Sequence, residues 1–370
     1  MTRSGVLDSV RAVRSVDGED MLSFCVDASK HYKEAASLAR TLSVGYPEPD
    51  AVVVAGMGGS GIGGELLKDW ARGRISVPVD VCKEYSLPAY ADSSTLVLAV
   101  SYSGETEETL TVFLEALRRK CMVVSVSSGG KLQEFSERMS IPHLLVPSGM
   151  APRASLPYLF FPLIVCLEKL GLVSNSPQEM SESVEVLKQI SGENSPIVPL
   201  SRNFSKKLAA DINGTVPVVY GFGCYRTVAQ RFKTQFNENS KNPAKWEFFP
   251  ELDHNEIVGW EEAKQFEKWF STIFIRDDEE PPEIRQRIEA TKQLMRRQMK
   301  RQFEVHSRGK TCLARMASVI CIGDFTSVYL AILRGIDPTP VKTITLLKQK
   351  VEETGLKAKV LRELEQLASK

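Results

Sequence analysis

The chain has 370 residues, of which 43% are hydrophobic and 25% charged, and its 47 basic and 46 acidic side chains give a formal net charge of +1. This length suggests two domains, and the composition is that of a globular protein rather than a disordered chain. The balanced charge excludes a global attraction to nucleic acid or to anionic membranes, so a charged ligand has to be bound locally.

The seven cysteines are widely spaced and form no Cys-x-x-Cys pair, so reduced thiols in a cytoplasmic protein are the simplest interpretation. The apolar stretch at residues 156–167 is too short to span a bilayer and contains two prolines, which favours a buried helix. Residues 1–20 lack the apolar core of a signal peptide. We expect a cytoplasmic protein that binds neither nucleic acid nor a membrane.

The first half of the chain alternates predicted strands and helices. Strands are predicted at residues 51–55, 77–82, 95–100 and 121–126, and helices at 21–39 and 107–119. This alternation is typical of a parallel α/β domain.

The second half repeats this order weakly, starting with a predicted strand at 216–220 that aligns with 51–55 at an offset of 165. Aligning 318–328 with 96–106 gives an offset of 222, which predicts an insertion in the second half. Apolar residues near i, i+4 spacing predict one long helix in a charged insertion at 276–310, with a solvated basic face.

The predicted organisation follows from these patterns. An N-terminal domain occupies residues 1–170, a polar linker occupies 171–195, and a C-terminal domain occupies 196–370. The two domains are predicted to be weak internal repeats of one another.

A glycine-rich turn, Gly56-Met57-Gly58-Gly59-Ser60-Gly61, directly follows the first predicted strand. Glycines let a backbone approach an anion closely, and the N–H groups that open the next helix bind phosphate. The turn also fits the dinucleotide pattern GxGxxG, but Asp80 lies inside a predicted strand rather than at its end, where a ribose-binding acid belongs. A tight turn without a ligand stays open as an alternative.

A second turn, SYSGET, places Ser101, Ser103 and Thr106 after the predicted strand at 95–100. Hydroxyl groups and a helix N-terminus can hold a phosphomonoester without any lysine. Capping of the next helix by Ser103 or Thr106 is the alternative. Two such turns at the carboxyl ends of strands in one sheet favour a ligand-binding crevice.

The second half offers a carboxylate and an imidazole, Glu238 in FNENSK and His254 in PELDHNEIVGW. Within one polar, loop-rich segment these groups can act as general base and general acid. A surface position or a buried structural imidazole is the alternative. A metal at His254 and Glu256 lacks a third ligand at a suitable spacing.

Seven motifs spread over residues 51–348 occur together in this chain: GMGGSGIGGE, SYSGETEET, PRASLPYL, FNENSKNPA, PELDHNEIVGW, GDFTSVYLA and DPTPVKTITLLK. Together they resemble the bifunctional phosphoglucose/phosphomannose isomerases, which are built from two sugar-isomerase (SIS) domains. The resemblance implies two flavodoxin-like domains, each a three-layer structure around a parallel sheet. It also implies an intramolecular oxidoreductase of carbohydrate metabolism, which interconverts glucose 6-phosphate and mannose 6-phosphate with fructose 6-phosphate without a metal or cofactor.

Carried over residue by residue, the resemblance implies a role for ten side chains or backbone positions. Glu238 moves a proton between C1 and C2 through a cis-enediol, Arg153 stabilises the enediolate, and His254 and Lys348 assist ring opening. The sugar phosphate is bound by Gly58, Gly59, Ser60, Ser101, Ser103 and Thr106.

The resemblance also implies a homodimer in which His254 reaches the site of the opposite subunit, and closed two-fold symmetry is the commonest assembly of soluble proteins. Two other functions stay open. A nucleotide-binding oxidoreductase is disfavoured by the position of Asp80, and a non-catalytic phosphosugar-binding regulator by the lack of a recognisable DNA-binding appendage.

Overall fold

The computed structural model describes residues 3–369, with side chains from residue 5 on, and divides them between two units. One unit, which we call the five-stranded unit, consists of His31–Met180 and residues 341–369. The other, the four-stranded unit, consists of residues 3–30 and Ser181–Pro340. Both ends of the chain therefore belong to the unit opposite to the one that sequence order suggests. The domain limits at residues 170 and 196 stay a prediction.

The strands, numbered in chain order, are β1 (Ala51–Ala55), β2 (Val79–Cys82), β3 (Thr95–Val100), β4 (Met122–Ser127), β5 (His143–Leu145), β6 (Val216–Phe222), β7 (Lys245–Phe249), β8 (Phe270–Arg276) and β9 (Gln302–His306). The α-helices are α1 (Val10–Val16), α2 (Met21–Val26), α3 (Ala28–Ala39), α4 (Gly58–Ala71), α5 (Glu107–Arg118), α6 (Gly130–Arg138), α7 (Leu156–Lys169), α8 (Ser176–Asn194), α9 (Phe204–Ile212), α10 (Arg226–Glu238), α11 (Pro282–Met295), α12 (Cys312–Leu333), α13 (Lys342–Glu352) and α14 (Leu356–Ala368). Short 3₁₀ helices occupy Arg3–Asp8, Gly223–Tyr225, Glu251–His254, Glu256–Trp260 and Ala263–Trp269.

The five-stranded sheet is parallel and has the strand order β2-β1-β3-β4-β5. Its central strands, AVVVA in β1 and TLVLAV in β3, are buried along their whole length. Such strands are apolar throughout because helices cover both faces of a parallel sheet. The order is that of a flavodoxin-like domain, whose ligand crevice lies between the two central strands at their carboxyl ends.

Helices from both ends of its sequence complete the core of the five-stranded unit. Leu364 of α14 joins Val97, Phe113 and Phe135 in one buried cluster, which explains why residues 341–369 belong here. Residues 156–167 are buried throughout within α7, as predicted from their apolar composition.

The four-stranded sheet is also parallel, in the order β7-β6-β8-β9. Its central helix, α12, packs against α2, α9 and α10. By length and hydropathy alone α12 could cross a membrane, but 94% of its apolar window is buried inside the protein, as in a core helix.

The predicted charged insertion with one long helix at residues 276–310 is wrong. The segment holds α11 and then β9, the fourth strand of the sheet. The i, i+4 spacing is real only as far as Met295, where α11 ends. Beyond it, QFEVH alternates polar and apolar residues, which is the pattern of a strand.

The repeat alignment that predicted this insertion is wrong for the same region, because residues 318–328 lie inside α12. A fully buried apolar run cannot be assigned to helix or strand by periodicity alone. The strand that matches β3 is β8. Ala51 pairs with Thr95 in one sheet and Val216 with Phe270 in the other, so the offsets are 165 and 175.

Candidate active site

The glycine-rich turn connects the carboxyl end of β1 to α4, which starts at Gly58. A Cβ atom on Gly59 would lie 2.7 Å from the carbonyl oxygen of Pro152 and 3.1 Å from the nitrogen of Arg153. Only glycine therefore lets the first turn of α4 pack directly on the segment that carries Arg153. The N–H groups of Ser60 and Gly61 donate to the carbonyl oxygen of Met57 at 2.9 and 3.1 Å, and those of Gly58 and Gly59 open the helix at the positive end of its dipole.

The hydroxyl turn connects β3 to α5. Ser101 is fully buried and donates to Oγ1 of Thr106 at 2.8 Å, while the Thr106 N–H donates back to Ser101 Oγ at 3.4 Å. The exposed Ser103 accepts from the N–H of Glu105 at 3.2 Å. The hydroxyls of Ser103 and Thr106 thus shape the turn itself, and the helix-capping alternative is not realised.

One hydrogen bond joins the two turns, because the N–H of Tyr102 donates to Ser60 Oγ at 3.1 Å. Ser60 is 5% exposed, so this bond is shielded from water. The strands that precede the two turns are neighbours in register. The structure therefore brings together, at one edge of the sheet, all six residues predicted to bind phosphate: Gly58, Gly59, Ser60, Ser101, Ser103 and Thr106.

Tyr102 is a site residue that the sequence reasoning missed. Its hydroxyl donates to the carbonyl oxygen of Pro147 at 3.0 Å and accepts from the N–H of Met150 at 2.9 Å. Burial raises the pKa of Tyr102, so the phenol stays neutral and can both donate and accept. It thereby fixes the loop that leads to Arg153, whose side chain is 2% exposed. The sequence signal for this residue was an aromatic side chain between the two serines of SYSGET.

A third turn, after β4, supports the hydroxyl turn from its other side. Ser128 donates to the carbonyl oxygen of Tyr102 from both its N–H, at 2.8 Å, and its hydroxyl, at 2.7 Å. Gly104 has a left-handed φ of +68°, and a Cβ atom there would collide with the carbonyl oxygen of Gly129. Glycine is therefore required at this position of SYSGET for steric as well as conformational reasons.

The carboxylate of Asp80 accepts hydrogen bonds from neighbours within its own unit. It lies in β2 and accepts from Lys68 Nζ at 2.9 Å and from the Tyr90 hydroxyl at 2.8 Å. The hydrogen bond from Lys68, followed by that from Tyr90, lowers the pKa of this carboxyl group. An acid engaged in this way inside a strand does not match the ribose-binding acid of a dinucleotide fold.

Lys348 lies in α13, where every residue is at least partly exposed, and its own side chain is exposed. Its role in ring opening stays a prediction.

In the four-stranded unit, Glu238 is the last residue of α10 and is partly exposed. Because α10 connects two parallel strands, it starts at the carboxyl edge of the sheet and ends at the amino edge. His254 ends the 3₁₀ helix that follows β7 and is exposed at the carboxyl edge. Within one unit the helix and the strand thus separate these two residues, and α10 alone is about 20 Å long. The prediction that they share one loop-rich segment is wrong, because β7 lies between them.

Comparison with known proteins shows the family to which the chain belongs. The model of the bacterial phosphoglucose isomerase C-terminal SIS domain matches residues 201–351. A bifunctional phosphoglucose/phosphomannose isomerase from Caldicellulosiruptor bescii is 40% identical over 324 residues, which are 87% of this chain and 96% of the relative. The chain belongs to the bifunctional phosphoglucose/phosphomannose isomerase family.

The chain is also similar to two further proteins. A D-glucosamine-6-phosphate 4-epimerase from Sulfolobus acidocaldarius is 30% identical over 83% of this chain and 90% of its own length. Among solved structures, a hypothetical protein from Thermus thermophilus is similar at a TM-score of 0.73 and 15% identity, with coverage of 93% and 94% of the two chains. The predicted fold, two SIS-type domains built on parallel sheets, is confirmed.

Proposed function

We propose that this chain is an aldose–ketose isomerase that interconverts glucose 6-phosphate and mannose 6-phosphate with fructose 6-phosphate. The proposal rests on membership of the isomerase family. The observation that carries it is the Ser60–Tyr102 hydrogen bond, which joins a glycine turn and a hydroxyl turn into one crevice.

The crevice of the five-stranded unit is suited to a phosphate group. Neither turn contains Lys or Arg between Gly56 and Gly61 or between Ser101 and Thr106. The N–H groups at the start of α4, the helix dipole and the serine and threonine hydroxyls supply the hydrogen bonds instead. Binding then depends on geometry at short range, in keeping with the net charge of +1.

The chemical step needs a carboxylate that removes a proton from one carbon and returns it to the next, and we assign this role to Glu238. Arg153 is assigned to the enediolate, because a preorganised guanidinium stabilises developing negative charge strongly where water is excluded. His254 and Lys348 assist ring opening as proton donors.

We further propose a homodimer in which His254 serves the site of the opposite subunit. His254 lies at the sheet edge opposite to that of Glu238 within its own unit, which supports a role elsewhere. Val258 and Phe266, from the same run of 3₁₀ helices, are 58% and 48% exposed, so apolar surface is available for a second copy. All seven cysteines are free thiols, which suits the cytoplasm as the compartment.

The decisive experiment is a coupled assay of the purified protein with glucose 6-phosphate, mannose 6-phosphate and fructose 6-phosphate, beside Glu238→Gln. Loss of a general base lowers kcat by about 10²- to 10⁴-fold. Phosphosugar binding should persist in this variant. The matched control is Glu352→Gln in α13, which should keep full activity. Full turnover by Glu238→Gln contradicts the assignment.

The same assay separates the rival functions. Binding of phosphosugar without turnover by the wild type would indicate a regulator. Epimerisation of glucosamine 6-phosphate without aldose–ketose conversion would indicate the activity named for the Sulfolobus relative. Mixing Glu238→Gln chains with His254→Ala chains should restore activity through heterodimers. No restoration, with subunit exchange verified, would contradict the shared site.

A further inference from the structure

The turn that follows Glu238 is held by a lysine side chain. The chain reverses after α10 through Lys241, whose φ of +52° is left-handed. Its ammonium group donates to three backbone carbonyl oxygens: Glu238 at 2.6 Å, Pro338 at 2.9 Å and, at longer range, Asn239 at 3.4 Å. An ammonium group has three N–H donors, so one lysine side chain can serve several carbonyl oxygens at once.

We propose that Lys241 is a positioning residue for proton transfer. It fixes the backbone of Glu238 at the end of α10 and thereby the position of the carboxylate. This inference rests on the proposed role of Glu238 as the base.

The position of Glu238 at the end of its helix explains why its backbone needs the contact with Lys241. The last carbonyl groups of a helix have no partner within it and carry the negative end of the dipole. A carboxylate at the same end is repelled by that dipole, and terminal helical residues fray readily. An ammonium group on the carbonyl of Glu238 satisfies that oxygen and compensates its partial charge.

The exact position of a catalytic group affects the rate of the reaction. A catalytic group that is displaced by about 1 Å costs on the order of 10²-fold in rate. Pro338 lies 97 residues from Lys241 in the sequence, so the hydrogen bond between them connects the turn after Glu238 to a distant part of the same unit. That part is itself ordered, because the N–H of Thr339 donates to Asp337 Oδ1 at 2.9 Å.

A second contact of the turn allows the stability of the turn to be distinguished from the positioning of Glu238. Asn239 is buried and donates through Nδ2 to Ser327 Oγ of α12 at 2.9 Å. This contact ties the turn to the core. Lys241 is only partly buried, so the turn should stay in place without its ammonium group while losing its exact orientation.

The test compares Lys241→Met, which keeps the length of the side chain but has no donor, with Lys241→Arg, which keeps the charge and the donors. We expect Lys241→Met to lower kcat for fructose 6-phosphate by about 10- to 100-fold. KM and the urea midpoint should stay close to the wild-type values. Exchange of the transferred proton with D₂O should slow in parallel with kcat, and Lys241→Arg should recover part of the loss. The matched control is Lys207→Met, an exposed lysine of α9.

Three results would overturn the inference. The first is an unchanged kcat in Lys241→Met while Glu238→Gln remains inactive, which leaves the proposed function intact. The second is a fall of kcat in proportion to a fall of the urea midpoint, without recovery by Lys241→Arg, because this indicates a structural role. The third is full activity of Glu238→Gln, which removes the base that Lys241 would position and contradicts the proposed function as well.

Discussion

The two units share the turn that follows the first central strand and differ in the side chains at that turn: they are small in the five-stranded unit, whose crevice we call open, and larger in the four-stranded unit, whose crevice we call closed. Their central strands pair in the same order, and the glycines that open the first turn have nearly the same φ, +50° at Gly58 and +49° at Gly223. The next two positions differ. Gly59 and Ser60 of the five-stranded unit correspond, at the offset of 165, to Cys224 and Tyr225.

The larger side chain fills the second crevice. Tyr225 is 1% exposed, and its hydroxyl donates to Asp277 Oδ2, a carboxylate that also pairs with Arg315 Nε at 3.1 Å. Burial raises the pKa of Tyr225 far above its ordinary value, so it is a neutral donor. Under the proposed function, a repeated fold keeps one crevice for ligand and fills the other with its own side chains.

Closing the open crevice should have the largest effect. In Ser60→Tyr the ring occupies the place of the phosphate, and Tyr102 loses its acceptor. We expect the phosphate to lose two hydrogen bonds, each worth about 1.5–3 kcal/mol because the phosphate is charged. The value of kcat/KM should therefore fall by about 10²- to 10⁴-fold. The assay uses fructose 6-phosphate, with circular dichroism to verify folding. Tyr225→Phe is the control: it should lose stability and keep its activity. An active Ser60→Tyr variant would show that phosphate binds elsewhere.

Gly59→Ala should have the next largest effect. The new Cβ atom would lie 2.7 Å from the carbonyl oxygen of Pro152, so the segment of Arg153 must move. We expect kcat/KM to fall by about 10²-fold and stability by about 1–3 kcal/mol. Cys224→Ala, at the equivalent position of the closed crevice, already has room for a Cβ atom and should behave like the wild type. Equal effects of the two substitutions would contradict the functional difference between the crevices.

Removal of single hydroxyls should have a smaller effect. Ser103→Ala and Thr106→Ala should raise KM for fructose 6-phosphate by about 2- to 150-fold, which corresponds to 0.5–3 kcal/mol per hydrogen bond. Free fructose should be a poor substrate throughout, since the phosphate provides the anchoring energy. Thr311→Ala removes a hydroxyl that caps α12, so it should cost about 0.5–2 kcal/mol of stability without changing KM. Unchanged kinetics in both crevice variants would reduce SYSGET to a structural turn.

The sequence predicted the elements of the five-stranded unit better than those of the four-stranded unit. Long buried apolar runs identified β1, β3 and β4 within a residue or so, because a strand covered on both faces is apolar throughout. The strand β8 went unassigned and α12 was taken for a strand. A buried helix and a buried strand are equally apolar, and only packing distinguishes them.

The same limit applies to the site. The glycine and hydroxyl turns were predictable because their chemistry is local in the sequence. The contacts of Tyr102 and Lys241 were not predictable, since they are made with the backbone carbonyls of Pro147 and Pro338, which are 45 and 97 residues away and which no motif records. Local sequence thus predicted the two turns, whereas the long-range contacts around them required the fold.

The smallest expected effect concerns β5, a fifth strand that the other sheet lacks among residues 3–369. His143 of β5 lies against β4, with Nδ1 2.8 Å from Ser125 Oγ and Nε2 3.4 Å from Ser127 Oγ. Burial lowers the pKa of His143 below its ordinary value of 6.5, and the charge of Glu137 opposes this shift. Below that ordinary value the unfolded chain binds more protons than the folded one, so acidification costs stability.

This predicts that the five-stranded unit becomes less stable as the pH falls from neutrality through 6.5, until the lower pKa of folded His143 is passed. Urea unfolding of the wild type and of His143→Gln over this range measures the effect, and the variant should show the flatter dependence. Amide exchange resolves the comparison by unit: protection should fall in β4 and β5, the strands that contact and hold His143, before it falls in β8 and β9 of the other sheet. Parallel pH curves for variant and wild type would mean that His143 is not the group responsible, and a simultaneous loss of protection in both sheets would mean that acid acts on the two units alike.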